Sequence, residues 1–254
     1  MATLLIVTMI FTGCGGDLKE SRKLVIGIDD EFAPLGFHNE RNELVGFDID
    51  LARETARRMG VGVEFKAIDW DKKKEEITSG SVDMIWNGLD ITDERSEYMI
   101  FSKPYMDDRQ ILLVKEDSDL GIYSEYDLAG KAVGVQAGST SNDYLNRNEE
   151  LRSKLKDFKL YTKFGEAVDG LKKGEIDALV CDELVARYQM NCCTDCLKII
   201  NVKIGEILAM GIGFRKDNIE LRDKVQKIFD EMIADGTAKE ISEKWFQADL
   251  IKHK

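Results

Sequence analysis

Short apolar segments alternate with amphipathic helical segments along almost the whole chain. This order restricts the fold to a parallel sheet covered by helices. Lys23 to Ile28 reads as a strand. Ile49, Ala52, Ala56 and Met59 recur at helical spacing across Asp48 to Met59, and Gly60 suits the helix end. Val63 to Ile68 alternates as a strand, Asp71 to Ser79 reads as a helix stopped by Gly80, and Val82 to Ile85 is a strand again. A second unit repeats the pattern. Ser124 and Asp127 have capping-box spacing before a short helical turn, and Lys131 to Val135 is a strand. The small-residue turn Gln136 to Ser141 leads into a helix, Glu166 to Lys173 is a helix ended by Gly174, and Asp177 to Val180 is a strand with Cys181-Asp182 just after it.

Two strand-like segments, Gln110 to Val114 and Met210 to Phe214, lie outside these units. They are expected to be two crossings between lobes, and two crossings make a hinge that lets lobes close around a ligand. The last helices run from about Ile219 to Ala234 and from Thr237 to Phe246. The expected division is a signal segment and tether over 1–21, a first lobe from 22–110 plus 211–254, and a second lobe over 111–210.

The net charge of −12 argues against nucleic acid and against an anionic lipid surface, both of which select basic faces. Met1 to Phe11 is almost wholly apolar but too short to span a bilayer, so it reads as the apolar part of a secretory signal. Thr12-Gly13 before Cys14 resembles the lipobox of bacterial lipoproteins, which implies a diacylglyceryl group on Cys14. Phe11 stands where leucine is usual and no Lys or Arg precedes the run, so the full leader is expected to start upstream of Met1. The alternative for this stretch is a buried N-terminal strand with a core cysteine. Gly15 to Ser21 reads as a polar tether. Cys181, Cys192, Cys193 and Cys196 remain. Cys193-x-x-Cys196 has the spacing of metal and redox sites, but no histidine or second such pair accompanies it. A surface loop with a local disulfide is favoured over a metal site, and which cysteines pair is not readable from sequence.

The segment Trp86 to Arg95 follows an apolar run, so its glycine, arginine and backbone amides fall just past the carboxyl end of a strand. In open α/β sheets that edge is where small ligands bind, and an arginine there offers a planar fork of donors to a carboxylate.

Here the chain resembles the solute-binding proteins of amino-acid ABC transporters, of the polar amino-acid type, over about residues 22 to 247. The resemblance is carried by Leu24-Val25-Ile26-Gly27, Phe32-Ala33-Pro34-Leu35, Val45 to Ala52, Gly88 to Arg95, Phe101 to Tyr105, Gly134 to Thr140, Gly174 to Ala178 and Lys244-Trp245-Phe246. Each is weak alone; together, in this order, they are specific. The resemblance implies the type II periplasmic-binding-protein fold: two Rossmann-like α/β lobes joined by two hinge strands, with the ligand in the cleft between them. It implies that Arg95 pairs with a ligand α-carboxylate, that Gly88 lets backbone approach the ligand, and that Ser139 and Thr140 contact the same carboxylate from the second lobe. Asp182 then receives the α-ammonium. Phe32 and Trp70 pack on the ligand side chain, and Asp29 and Gln136 lie near its distal end. Asn87, Leu89 and Gly138 complete the expected ligand-binding set.

Asp90 departs from the family pattern, which has Ser or Thr donating a hydroxyl to the carboxylate. An ionised aspartate only accepts hydrogen bonds. At about 4 Å, two like charges repel by about 4 kcal/mol at an effective dielectric near 20. Three outcomes are open: Asp90 turns away and pairs with Arg95, it is protonated, or the ligand presents a cation there.

No catalytic constellation is evident; His38 lies in a predicted loop and His253 near the C-terminus. The expected protein is a binder without cofactor or metal. It is expected to be monomeric and extracytoplasmic, held at the membrane only by its lipid anchor, and to deliver a basic or polar amino acid to an ABC permease and its ATPase. Four acids, Asp29, Asp30, Glu31 and Asp90, suit a cationic side chain. The alternative is a periplasmic cyclohexadienyl or arogenate dehydratase-like enzyme on the same fold, with Asp90 as general acid. The absence of a membrane segment after Phe246 argues against a built-in sensor.

Overall fold

The computed structural model describes residues 23–193 and 195–253. The expected signal, Cys14 and the tether lie outside the described residues. The first strand, β1 (Leu24–Ile28), is followed by three short strands, β2 (Glu31–Phe32), β3 (Gly36–His38) and β4 (Leu44–Val45), which form a small antiparallel sheet of their own. Then come α1 (Phe47–Met59), β5 (Val63–Ala67), a 3₁₀ turn at Trp70–Lys72, α2 (Lys73–Ser79), β6 (Met84–Ile85), the one-turn α3 (Asp93–Ser96) and β7 (Met99–Phe101). Gly60 ends α1 in the left-handed region at φ 69°, where its amide reaches back to the carbonyls of Ala56 and Arg57.

The chain then enters a second sheet with β8 (Met106–Lys115). A capping box formed by Ser124 and Asp127 starts a 3₁₀ turn, and β9 (Ala132–Gln136) follows. Next are α4 (Thr140–Arg147), α5 (Glu149–Ser153), β10 (Asp157–Tyr161), α6 (Phe164–Lys173), β11 (Ala178–Asp182), α7 (Glu183–Cys192) and the long β12 (Leu197–Met210). The chain returns to the first sheet with β13 (Gly213–Arg215) and ends on α8 (Ile219–Ala234) and α9 (Thr237–Phe246).

The first sheet has the order β5-β1-β6-β13-β7 and the second β10-β9-β11-β8-β12. In the first, β5, β1 and β6 are parallel and β13 runs against β6 and β7. In the second, β10, β9 and β11 are parallel, and β8 runs against both β11 and β12. These are the two α/β lobes.

The first crossing lies ahead of the expected segment, and the second falls within it. Gln110 to Val114 is wholly inside β8, where Ile111, Leu112, Leu113 and Val114 are all fully buried. Met210 to Phe214 is not one strand but the end of β12, a two-residue link and the start of β13. The chain crosses at residues 102–105 and 211–212, so position 110 falls within a strand of the second sheet. An apolar run marks burial in a sheet, whereas a crossing needs only a few residues whose backbone groups are satisfied locally. Here Ser102 N donates to Ile212 O at 2.9 Å, Ile212 N to the Ser102 hydroxyl at 2.9 Å, and Tyr105 N to Met210 O at 2.9 Å. Cys181 and Asp182 lie within β11 rather than beyond it. Cys193 and Cys196 form a disulfide; Cys181 is buried and Cys192 exposed.

Candidate functional site

The segment after β6 turns at Gly88, whose φ is 59°. A Cβ there would lie 2.7 Å from Leu35 and 3.0 Å from Phe32, so only glycine fits. Its amide donates to the fully buried Asp48 carboxylate at 2.7 Å, and the Tyr105 hydroxyl from the crossing donates to the same group at 3.0 Å. Asn87 accepts the Asp29 amide at 2.9 Å. Thr92 caps α3 by accepting the Arg95 amide at 3.2 Å, and this turn directs Arg95 inward. The Arg95 side chain is 3% exposed. Its Nη1 donates to the Asp90 carbonyl at 3.0 Å, its Nη2 donates to the Gly138 carbonyl at 3.3 Å and lies 3.8 Å from Asp143. Its Nε has no partner among the described residues.

The second lobe faces this segment with the turn between β9 and α4. Ser139 caps α4, accepting the Asn142 amide at 3.1 Å, while the Thr140 hydroxyl donates to the Asp90 carboxyl. The Ser141 hydroxyl donates to the Gln110 side-chain carbonyl. The Gln110 amide in turn donates to Asp108 and to Asp182, each at 2.6 Å. Asp182 sits at the N-cap position of α7 but does not cap it. Burial, then the nearby Asp90, pushes the Asp182 carboxyl up to about 7. Burial also raises Asp90 and holds Asp108 well above the carboxylate range.

At the other end, Gln136 donates to Asp29 at 2.5 Å, and Lys163 from the second lobe lies 3.4 Å from Asp29 and 2.7 Å from Asp30. Burial raises Asp29, with the Glu31 amide and Lys163 opposing. Phe32 meets Phe164 edge-on across the lobes at 5.4 Å. Lys73 bonds the carbonyls of Trp70 at 3.1 Å and Gly138 at 2.6 Å. Burial, then Arg95, lowers its ammonium to about 7.

These groups surround one narrow interlobe cavity. All of the expected residues except Leu89 and Gly138 line it: Asp29, Phe32, Trp70, Asn87, Gly88, Asp90, Arg95, Gln136, Ser139, Thr140 and Asp182. Leu89 is fully buried and packs in a core cluster with Ile68, Ile85 and Met99. It alternates in direction with its neighbours, so it supports the loop from behind. Gly138 contributes only the carbonyl taken by Lys73 and Arg95.

Of the outcomes open for Asp90, pairing of its carboxylate with Arg95 does not occur. Arg95 takes the backbone carbonyl instead, and Asp90 Oδ1 is buried with no hydrogen-bond partner among the described residues. Sequence reading missed Gln110, Ser141, Phe164, Val180 and Cys181. Gln110 and Asp108 share a face of β8, but Asp107 and Arg109 are polar as well, so no alternation in the sequence singled that face out. Among the described residues, no group of His, Cys, Asp or Glu is placed to hold a metal ion, and no helix is long and apolar enough to cross a membrane.

The family of bacterial extracellular solute-binding proteins, family 3, matches residues 24–248. The chain is 31% identical over 238 residues to the L-cystine-binding protein TcyJ of Escherichia coli (strain K12), covering 92% of this chain and 86% of that one. It is 30% identical over 251 residues to the arginine-binding extracellular protein ArtP of Bacillus subtilis (strain 168), covering 96% and 95%. Among solved structures, an ABC uptake transporter substrate-binding protein from Streptococcus pneumoniae with bound histidine superposes with a TM-score of 0.85 at 36% identity, covering 91% and 94%. An ancestral arginine-binding protein bound to arginine gives 0.82 at 40% identity, covering 88% and 98%. These neighbours share the two-lobed type II periplasmic-binding-protein fold.

Proposed function

Because the chain belongs to the bacterial extracellular solute-binding proteins, family 3, we propose that its cleft captures a free α-amino acid with a basic or polar side chain. The protein is the amino-acid-binding component of an ABC transporter, and it hands its ligand to a permease whose ATPase supplies the energy. The observation that carries the orientation is the placement of opposite charges in one buried cavity. The Arg95 Nε is a buried donor without a partner among the described residues, and Asp182 is a buried acid held by Gln110. The α-carboxylate goes to Arg95 and the α-ammonium to Asp182. Charge-assisted bonds in such a dry site are among the stronger polar contacts. The side chain then extends between Phe32 and Trp70 toward Asp29 and Gln136. A cationic side chain suits Asp29, although Lys163 already answers part of that charge. The role is binding rather than catalysis. The mature chain acts as a monomer outside the membrane, anchored through a lipid on Cys14.

The test is a thermal-unfolding screen against the common L-amino acids, with prephenate and arogenate as controls. A ligand at about 100 times its Kd adds about 2.7 kcal/mol. For a chain of this size that is a shift of roughly 5 to 10 °C. Basic or polar amino acids should give the largest shift. No shift with any amino acid, or turnover of either control acid, would overturn the reading.

A further inference from the structure

Asp90 belongs to the first lobe, and the groups that crowd its carboxyl come mainly from the second. Thr140 and Asp143 are on α4, Asp108 on β8 and Asp182 on β11. From the first lobe Arg95 on α3 faces it, and Tyr105 in the crossing is close enough to feel its charge. Closing the lobes therefore gathers four carboxyls, Asp90, Asp108, Asp143 and Asp182, around two buried cations, Arg95 and Lys73. The α-ammonium and α-carboxylate of an amino acid bring one charge of each sign, and a cationic side chain would lie at the far end beside Asp29, so the imbalance around Asp90 is left unchanged.

The hydrogen bonds point the same way. Asp90 Oδ2 accepts from the Thr140 hydroxyl, which leaves that hydroxyl committed. Asp90 lines the cavity, its Oδ1 is buried without a partner among the described residues, and the residue is 2% exposed. An ionised carboxyl can offer a ligand carboxylate only repulsion at this place, whereas a protonated one has a hydrogen to donate. We propose that Asp90 holds a proton in the closed cleft and donates its O–H from Oδ1 to the ligand α-carboxylate beside Arg95, so that capture of the amino acid takes up one proton from solvent. The inference rests on the amino-acid reading above. Burial moves the Asp90 carboxyl in the required direction. Asp108 is just as buried but does not line the cavity, and Asp182 already accepts from Gln110. Capture then favours mildly acidic surroundings, where the proton is available.

Calorimetric titration of the protein with L-arginine and L-histidine at about pH 6, in phosphate and in bis-tris, counts the protons bound. Because Asp182, held up to about 7, gives up a proton when it pairs with the α-ammonium, the expected result is about one proton more taken up by the unaltered protein than by Asp90→Asn. Kd should weaken by about tenfold per pH unit above the titration of unliganded Asp90. Asp90→Asn and Asp90→Ser should lose both the uptake and the pH slope. An equal proton count for arginine in the unaltered protein and in Asp90→Asn would overturn the inference. Agmatine, which is arginine without its carboxylate, provides a further arm. Tighter binding of agmatine than arginine would mean that Asp90 is ionised and receives a cation, which also overturns it. Absence of heat with every amino acid tested would instead overturn the amino-acid reading itself, and this inference with it. If neither variant folds, the proton count for arginine against that for agmatine on the unaltered protein still decides, since only arginine brings the carboxylate that the Asp90 proton would meet.

Discussion

Replacing Gly138 by alanine separates the cost of folding from the cost of lobe closure. Gly138 has φ 68°, a left-handed conformation that an L-residue adopts at about 1–2 kcal/mol. That strain is present with or without ligand. A second cost exists only when the lobes meet. The added Cβ would lie 2.7 Å from the Asp71 Cα and 3.0 Å from both the Trp70 carbonyl oxygen and the Lys73 Nζ. All three belong to the first lobe, and ordinary contact begins near 3.4 Å. Two of these neighbours are backbone, so the lobes themselves must part by several tenths of an ångström. Overpacking of this kind costs about 1–3 kcal/mol. Parting them also lengthens the bonds that Lys73 and Arg95 make to the Gly138 carbonyl. Gly138→Ala should thus lower unliganded stability in urea by about 1–2 kcal/mol. It should also weaken L-arginine binding by about 5- to 150-fold in calorimetric titration. Affinity equal to that of the unaltered protein would refute the closure argument, because the clash lies entirely between the lobes.

Arg95→Ala should weaken every α-carboxylate ligand by at least about 30-fold, since truncating one partner of a buried charge pair costs about 2–5 kcal/mol; titration showing a change of only a few fold would remove Arg95 from its assigned role. Asp29→Asn should weaken arginine by about tenfold and leave glutamine nearly unaffected, and an equal loss for both in the same assay would make Asp29 a structural group only. Asp48 gives a stability prediction with a definite sign. Burial raises its carboxyl from 3.8 to about 7, so the folded state holds a proton that the unfolded state releases, and stability falls as pH rises through that window. Asp48→Asn keeps an acceptor for Gly88 and Tyr105 without the charge. Asp182, also held up to about 7, acts with the same sign, so the urea-unfolding stability of Asp48→Asn should fall less steeply than that of the unaltered protein between about pH 4 and 7; parallel curves for both proteins would show that Asp48 does not titrate there.

Local patterns carried much of this fold. The helices α8 and α9 have the bounds expected from periodicity, because each buries one apolar stripe and ends at a local signal. The first crossing was misplaced for the opposite reason. The path at 102–105 and 211–212 is set by hydrogen bonds between segments more than a hundred residues apart, and no local pattern encodes them. β12 is long because it pairs along β8, and its register shifts between Ile200, Ile204 and Ile207 break the simple alternation. In the cavity, residues carried by family motifs were found, and those supplied by the second sheet's own packing, such as Gln110 and Phe164, were not. The behaviour of Asp90 was open in the sequence because its neighbours Thr140, Asp143 and Asp182 come from the other lobe.

A crystal structure with the amino acid that most raises the melting temperature is the most direct test. The ligand should lie in the interlobe cavity, its α-carboxylate within hydrogen-bond reach of Arg95 and its α-ammonium on Asp182. The reversed orientation, with the ammonium of the ligand at Arg95's end and its carboxylate near Asp182, would contradict the proposed recognition. So would a ligand bound outside the cleft.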